Sequence, residues 1–346
     1  MIPRTSPICQ SDDKPLAQSS RPETHWQTAI ANAIREPVAL LKYLNLPESL
    51  LDGAIAANHS FALRAPLGYC QRIEKGNPDD PLLRQILPVN EELQTSEDFV
   101  FDPVADLAAM QVPGLLHKYS GRVLLITTPA CGVHCRYCFR RHYPYQEKRS
   151  EQNWQEAIDY IRDNSEIHEV ILSGGDPLSL TEARLKNLSD KLMDIPHVVT
   201  LRIHTRQPIV LPERINNEFL SWLDSLPWKV VMVLHCNHAN EIDSSVAMAL
   251  NKLQHHQVTL LNQSVLLAGV NDNAEALINL SHKLFKHHVL PYYLHMLDKV
   301  QGARHFYVDR DKAIHLLNEV RQNLPGYLVP KLVQENAGEK SKTAIT

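Results

Sequence analysis

Residues 131–141, CGVHCRYCFRR, constrain this chain more than any other stretch. Cys131, Cys135 and Cys138 stand at C-x3-C-x2-C spacing, directly after an apolar run, Arg122–Thr128, that reads as a strand. Three thiolates on one short loop hold three corners of a cubane and leave the fourth metal without a protein ligand. Iron–sulfur clusters are normally held by four cysteines, so this loop points to a [4Fe-4S] cluster with one open iron. An open position is what metal chemistry needs when a co-substrate binds the metal itself. The alternative is a structural zinc site, in which His134 or His142 completes a Cys3His set. That arrangement crowds four ligands into one turn. It would make the protein a zinc-bearing binding module without catalysis.

Six cysteines and 18 histidines occur in 346 residues, with a net charge of -4. No apolar run reaches the length of about 18 residues that a membrane span needs, and the N-terminus has no apolar signal core. The expectation is a cytoplasmic protein without a membrane or nucleic-acid partner. In a reducing compartment clustered thiols mean metal or catalysis and not disulfides; Cys9 and Cys70 read as incidental.

Residues 1–24 read as a loose tail, and 25–116 as a helical N-terminal segment and linker. Trp26, Ile30, Ile34 and Val38 recur at helical spacing, Pro47 separates two further helical stretches, and 90–116 shows little periodicity. From there the pattern alternates. The runs 123–128, 169–174, 198–204, 229–235, 258–264 and 289–295 are β-rich. Between them lie the amphipathic stretches Asn153–Arg162, Glu182–Met193, Pro212–Leu223, Asp243–His255 and Ala274–His287. Such alternation predicts a parallel sheet with crossover helices, and about six units make a partial (β/α)6 barrel over 117–325. Polar residues collect at the C-terminal end of nearly every run, where barrels place their chemistry. They include His204 to Arg206, His235 to His238 and His295 to Asp298.

Two smaller motifs follow strands. In SGGDPL, Ser173, Gly174, Gly175 and Asp176 bring backbone groups and a carboxylate toward a ligand. In RIHTR (202–206) either arginine can meet a carboxylate or pair with a protein acid.

The cluster loop, with Tyr137 before its last cysteine, resembles the signature of the radical S-adenosylmethionine (SAM) enzymes. There the open iron chelates SAM, and an electron from the cluster cleaves it to a 5′-deoxyadenosyl radical; SGGDPL and His235 match SAM-side positions. The rest of the barrel resembles the lysine 2,3-aminomutase family through HKYSGRVLLIT, LRIHTRQP, HCNHANE, LNQSVLL, YYLHMLDKVQG and GYLVP. With the cluster loop, these cover roughly residues 75–342. That resemblance implies pyridoxal phosphate (PLP) as a third cofactor and L-lysine as substrate, its amino group moving between adjacent carbons. It also implies roles. Arg140 meets the lysine α-carboxylate, Asp298 and Glu335 the ε-ammonium, and Tyr119, Arg122 and Gln263 PLP. Lys118 stands where the family has arginine. Lys342, twelve residues beyond Pro330 in the C-terminal segment 326–346, is the PLP lysine, with Lys331 and Lys340 as neighbours to be excluded.

The family's long members continue into a C-terminal extension. This shorter form is similar to a bacterial branch that makes (R)-β-lysine for a ligase acting on elongation factor P, and the cluster implies a reducing partner. An aminomutase for another cationic amino acid stays open as the alternative substrate reading.

Overall fold

The computed structural model describes residues 25–145 and 154–346; the N-terminal tail, Cys9 and Asn153, the first residue of its predicted stretch, lie outside them. One sheet of ten strands runs in sequence order. The strands are β1 (Met110–Val112), β2 (Leu115–Tyr119), β3 (Arg122–Ile126), β4 (Glu169–Ser173), β5 (Thr200–Thr205) and β6 (Lys229–Leu234). They continue with β7 (Val258–Val265), β8 (Leu290–His295), β9 (Lys331–Gln334) and β10 (Thr343–Ala344). Strands β3 to β9 pair in parallel, while β1 and β2 at one edge and β10 at the other pair antiparallel. The sheet is open, a partial barrel, and all six β-rich runs of the sequence are strands in it.

These runs are nearly continuous in apolar residues because crossover helices cover the outer face, so alternate residues of a strand are buried on opposite sides. The helices Glu182–Met193, Ser244–Gln254 and Ala274–Lys286 lay Leu185, Leu188, Leu192, Leu250, Leu253, Leu280 and Leu284 against Val170, Leu172, Leu201 and Val230. Their starts are chemically fixed where a side chain accepts from an exposed backbone N–H. Asp243 caps Val246 N (3.0 Å) and Asn273 caps Ala276 N (2.8 Å).

Two features differ from the expected six units. A seventh parallel strand, β9, follows the helix Arg310–Asn323, and the chain then turns back as β10. Residues 90–116, expected to lack regular structure, contain β1 and the start of β2. Strands this short are set by the partner they pair with and leave no periodic trace in sequence. The helices Trp26–Ala31, Pro37–Leu44 and Leu51–Ser60 form a separate apolar layer whose core also includes Val133 and, at its margin, Cys135. The cysteine loop is thus clamped from outside. Arg64 Nη1 donates to Cys131 O (2.8 Å), His134 N to Arg64 O (3.0 Å) and Arg136 N to Gln85 O (2.9 Å).

Candidate active site

Each parallel strand ends under one cavity of about 400 Å³, lined by the three loop cysteines, Lys342 and each residue expected to bind SAM, PLP or lysine. The loop after β3 brings Cys131, Cys135 and Cys138, and that after β4 brings Ser173 to Asp176. His204 and Arg206 come from β5, His235 follows β6, Gln263 is on β7, and His295 and Asp298 come from β8; Glu335 follows β9. The cavity also runs down the barrel to Tyr119 at the end of β2 and Arg122 at the start of β3, where the Arg122 guanidinium lies 4.7 Å over the Tyr119 ring.

The three cysteines are free thiols. Burial, with Cys138 and Asp176 beside it, pushes Cys131 well above its usual range. Burial and Cys135 push Cys138 up to about 11. A bound cation would invert this balance by stabilising the thiolates of Cys131 and Cys138. Neither histidine offered for zinc is spare on its bonded nitrogen: His134 Nδ1 bonds Ala62 O (2.7 Å) and His142 Nε2 bonds Gln301 O (3.1 Å). Among the described residues no three His, Cys, Asp or Glu donors converge on the position of a single metal ion.

A charged chain crosses the cavity. Asp106 accepts from Arg140 Nε (2.7 Å) and pairs with Lys118 Nζ (2.8 Å); Lys118 reaches Glu335 Oε1 (2.9 Å), and Glu335 Oε2 holds Lys342 Nζ (2.6 Å). Burial raises the Glu335 carboxyl, but Lys342 and Lys118 outweigh it and hold it down at about 2. Asp298 is different. Among the described residues no donor bonds its carboxyl, and burial, then Glu335, pushes it up to about 7. Arg140 uses Nη1 on Ser173 Oγ (3.1 Å), and among the described residues its Nη2 has no partner. Lys342 is half-buried in the cavity, whereas Lys331 and Lys340 are exposed and do not line it.

Burial lowers His235 to about 4 and His204 and His295 well below their usual range, so all three are neutral. Their Nε2 atoms are buried without a protein partner among the described residues. Such atoms are costly unless a polar ligand meets them. The residues therefore fit a polar cofactor beside the cluster loop.

Three expectations change. Asp176 has no spare oxygen: Oδ1 accepts from Leu178 N (3.0 Å) and Thr205 Oγ1 (2.7 Å), and Oδ2 from Arg206 N (2.7 Å) and Gln207 N (3.2 Å). It ties the β4 loop to β5. At Gly174 and Gly175, which line the cavity, the side that a Cβ would occupy is filled by protein backbone. A Cβ would stand 2.7 Å from Thr128 O at Gly174 and 2.5 Å from Ala130 O at Gly175. In RIHTR, Arg202 forks onto Glu169 (2.6 and 2.7 Å), the protein-acid alternative, and Arg206 turns to the cysteine loop. Asp106 went unnoticed in sequence because it lies in the aperiodic stretch 90–116. Glu241, although inside HCNHANE, carried no signal of burial.

The model of the radical SAM superfamily matches residues 125–217. With a partial barrel and a three-cysteine loop after its first parallel strand, the chain is of the radical SAM class. It is 50% identical over 324 residues to the L-lysine 2,3-aminomutase of Haemophilus influenzae, covering 93% of this chain and 96% of that one. It is 48% identical to that of Escherichia coli (92% and 94%) and 35% identical to that of Clostridium subterminale (92% and 77%). The chain belongs to the L-lysine 2,3-aminomutase family.

Proposed function

We propose that this chain interconverts L-α-lysine and β-lysine by radical migration of an amino group. One observation carries the reading: a single cavity joins a three-thiol loop, an unpaired buried carboxyl and a half-buried lysine. The cluster and SAM supply the radical when bound, and PLP carries the migrating amine. Cys131, Cys135 and Cys138 hold the cluster. Lys342 holds PLP, with Tyr119, Arg122 and Gln263 around it, and His235 faces SAM. Arg140, fixed through Nε by Asp106, offers its remaining N–H groups to the substrate carboxylate, where a planar fork binds bidentately. Asp298 and Glu335 draw the ε-ammonium to the far end.

An extended cation with a carboxylate fits this charge order, and ornithine or arginine is the second reading because Asp298 and Glu335 ask only for a distal cation. The product is taken to serve a ligase for elongation factor P, and a reducing partner charges the cluster, both in the cytoplasm. No described helix is long and apolar enough to cross a membrane. Reduced, anaerobic enzyme given SAM, PLP and L-lysine should form β-lysine. No β-amino acid from lysine, with turnover of ornithine or arginine, would transfer the assignment to that substrate.

A further inference from the structure

Arg206, whose carboxylate partner is the protein's own Glu241, sits under the cysteine loop at 5% exposure. Its Nη1 donates to Cys135 Sγ (2.8 Å) and Tyr137 Oη (2.6 Å), and its Nη2 to Gln85 Oε1 (2.6 Å) and Glu241 Oε2 (2.8 Å). The network closes on itself. Glu241 Oε1 accepts from Asn237 N (2.8 Å) and His238 N (3.0 Å), and Asn237 Nδ2 donates to Tyr137 Oη (2.7 Å) and Gln85 Oε1 (3.0 Å). The backbone of Arg206 is pinned by Asp176, and its buried Nε has no protein partner among the described residues. The contact of this guanidinium with the cysteine loop is therefore directed at a thiol sulfur, with a second buried N–H unspent beside it.

We infer that Arg206 is a positioning residue for the cluster, which through its hydrogen bond to Cys135 Sγ raises the cluster's reduction potential. Hydrogen bonds to the sulfurs and nearby net charge are the protein's levers on that potential. Reduction adds one negative charge, and a buried guanidinium at hydrogen-bond distance stabilises the more negative state through a poorly screening medium. Glu241 opposes it, so the two residues set the potential between them. The inference rests on Cys135 being a cluster ligand.

The test is a redox titration of the anaerobically reconstituted full chain, without lysine, followed by electron paramagnetic resonance. In Arg206→Gln the reduced-to-oxidised ratio at a fixed potential should fall at least about tenfold, equivalent to about 59 mV for one electron. Glu241→Gln, which removes the opposing charge, should move it the other way. Iron and sulfide are counted alongside, with Cys135→Ala as control. Full cluster content in Cys135→Ala would refute the ligand assignment itself. Content that depends on Cys135, with neither variant shifting the potential or both shifting it alike, would leave Arg206 a purely structural residue and overturn the inference. If Arg206→Gln retains no cluster, Glu241→Gln decides alone, and a potential unchanged or lowered overturns it.

Discussion

On the proposed reading the chemistry of the cavity turns on Asp298 and Lys342, and each role can be tested at that one residue. The Asp298 carboxyl sits at about 7, above the ordinary carboxylate range, because burial and Glu335 disfavour its charge while Lys342 and Lys118 only partly compensate. The sign follows directly. A raised acid is half-neutral near pH 7 in the free protein, and an incoming ammonium needs it ionised. Lysine should bind more tightly as pH rises from 6 to 8, releasing a proton, and then level off. Asp298→Asn should weaken lysine binding ten- to hundredfold, the equivalent of about 1.5–3 kcal/mol for a charge-assisted contact. It should also flatten that pH dependence, while PLP and SAM binding stay close to the parent. Isothermal titration at three pH values decides it; an unchanged profile would place the ammonium site elsewhere. For Lys342, borohydride reduction of the holoenzyme followed by peptide mapping should leave the pyridoxyl label on this residue. A label on Lys331 or Lys340 would show that the count from Pro330 does not transfer.

The element that delivers Lys342 is the hairpin of β9 and β10. Thr343 pairs with Gln334, Ile345 N donates to Leu332 O (2.9 Å), and Asn336 Nδ2 donates to Thr343 Oγ1 (2.9 Å). Ile345, 3% exposed, fastens the end into the core beside the helix Arg310–Asn323. Ile345→Asp should free the hairpin, since a buried unpaired charge is not tolerated. PLP retained after gel filtration, and the label on Lys342, should both fall sharply. Ile345→Val, costing about 0.5–1.5 kcal/mol, should keep both. This element also marks the limit of what sequence discloses. Five- to eight-residue strands of buried Val, Ile and Leu announce themselves, and the three-cysteine spacing fixed where the cluster loop lies. A four-residue strand and a two-residue strand do not, because pairing and one buried side chain define them. Likewise GGD reads as a ligand loop from composition alone. Only the close approach of Thr128 and Ala130 shows that its glycines also let two loops dock.

Over the whole molecule, the helical N-terminal layer and the barrel are joined at Glu92. Its carboxylate is fully buried and accepts from Arg136 Nε (2.8 Å) and Nη2 (2.6 Å) and from Arg141 Nη2 (2.7 Å), both arginines belonging to the cysteine loop. Removing one partner of such a cluster strands the others. Glu92→Ala should lose about 3–5 kcal/mol in urea denaturation and should fail to retain iron, although Glu92 touches no thiol. A variant as stable as the parent would show that apolar contact and the remaining hydrogen bonds hold the two layers without this ion cluster.

The clamp on the outside of the cysteine loop also gives the maturation of this protein a direction. Residues between 61 and 92 press against its outer side, while its three thiols line the cavity that Ser341 and Lys342 also border. With PLP held at Lys342 as proposed, the cofactor would lie across the cavity between the thiols and solvent. On that reading, chain loaded with PLP first should take up iron and sulfide more slowly than chain without it, which timed anaerobic reconstitution measures.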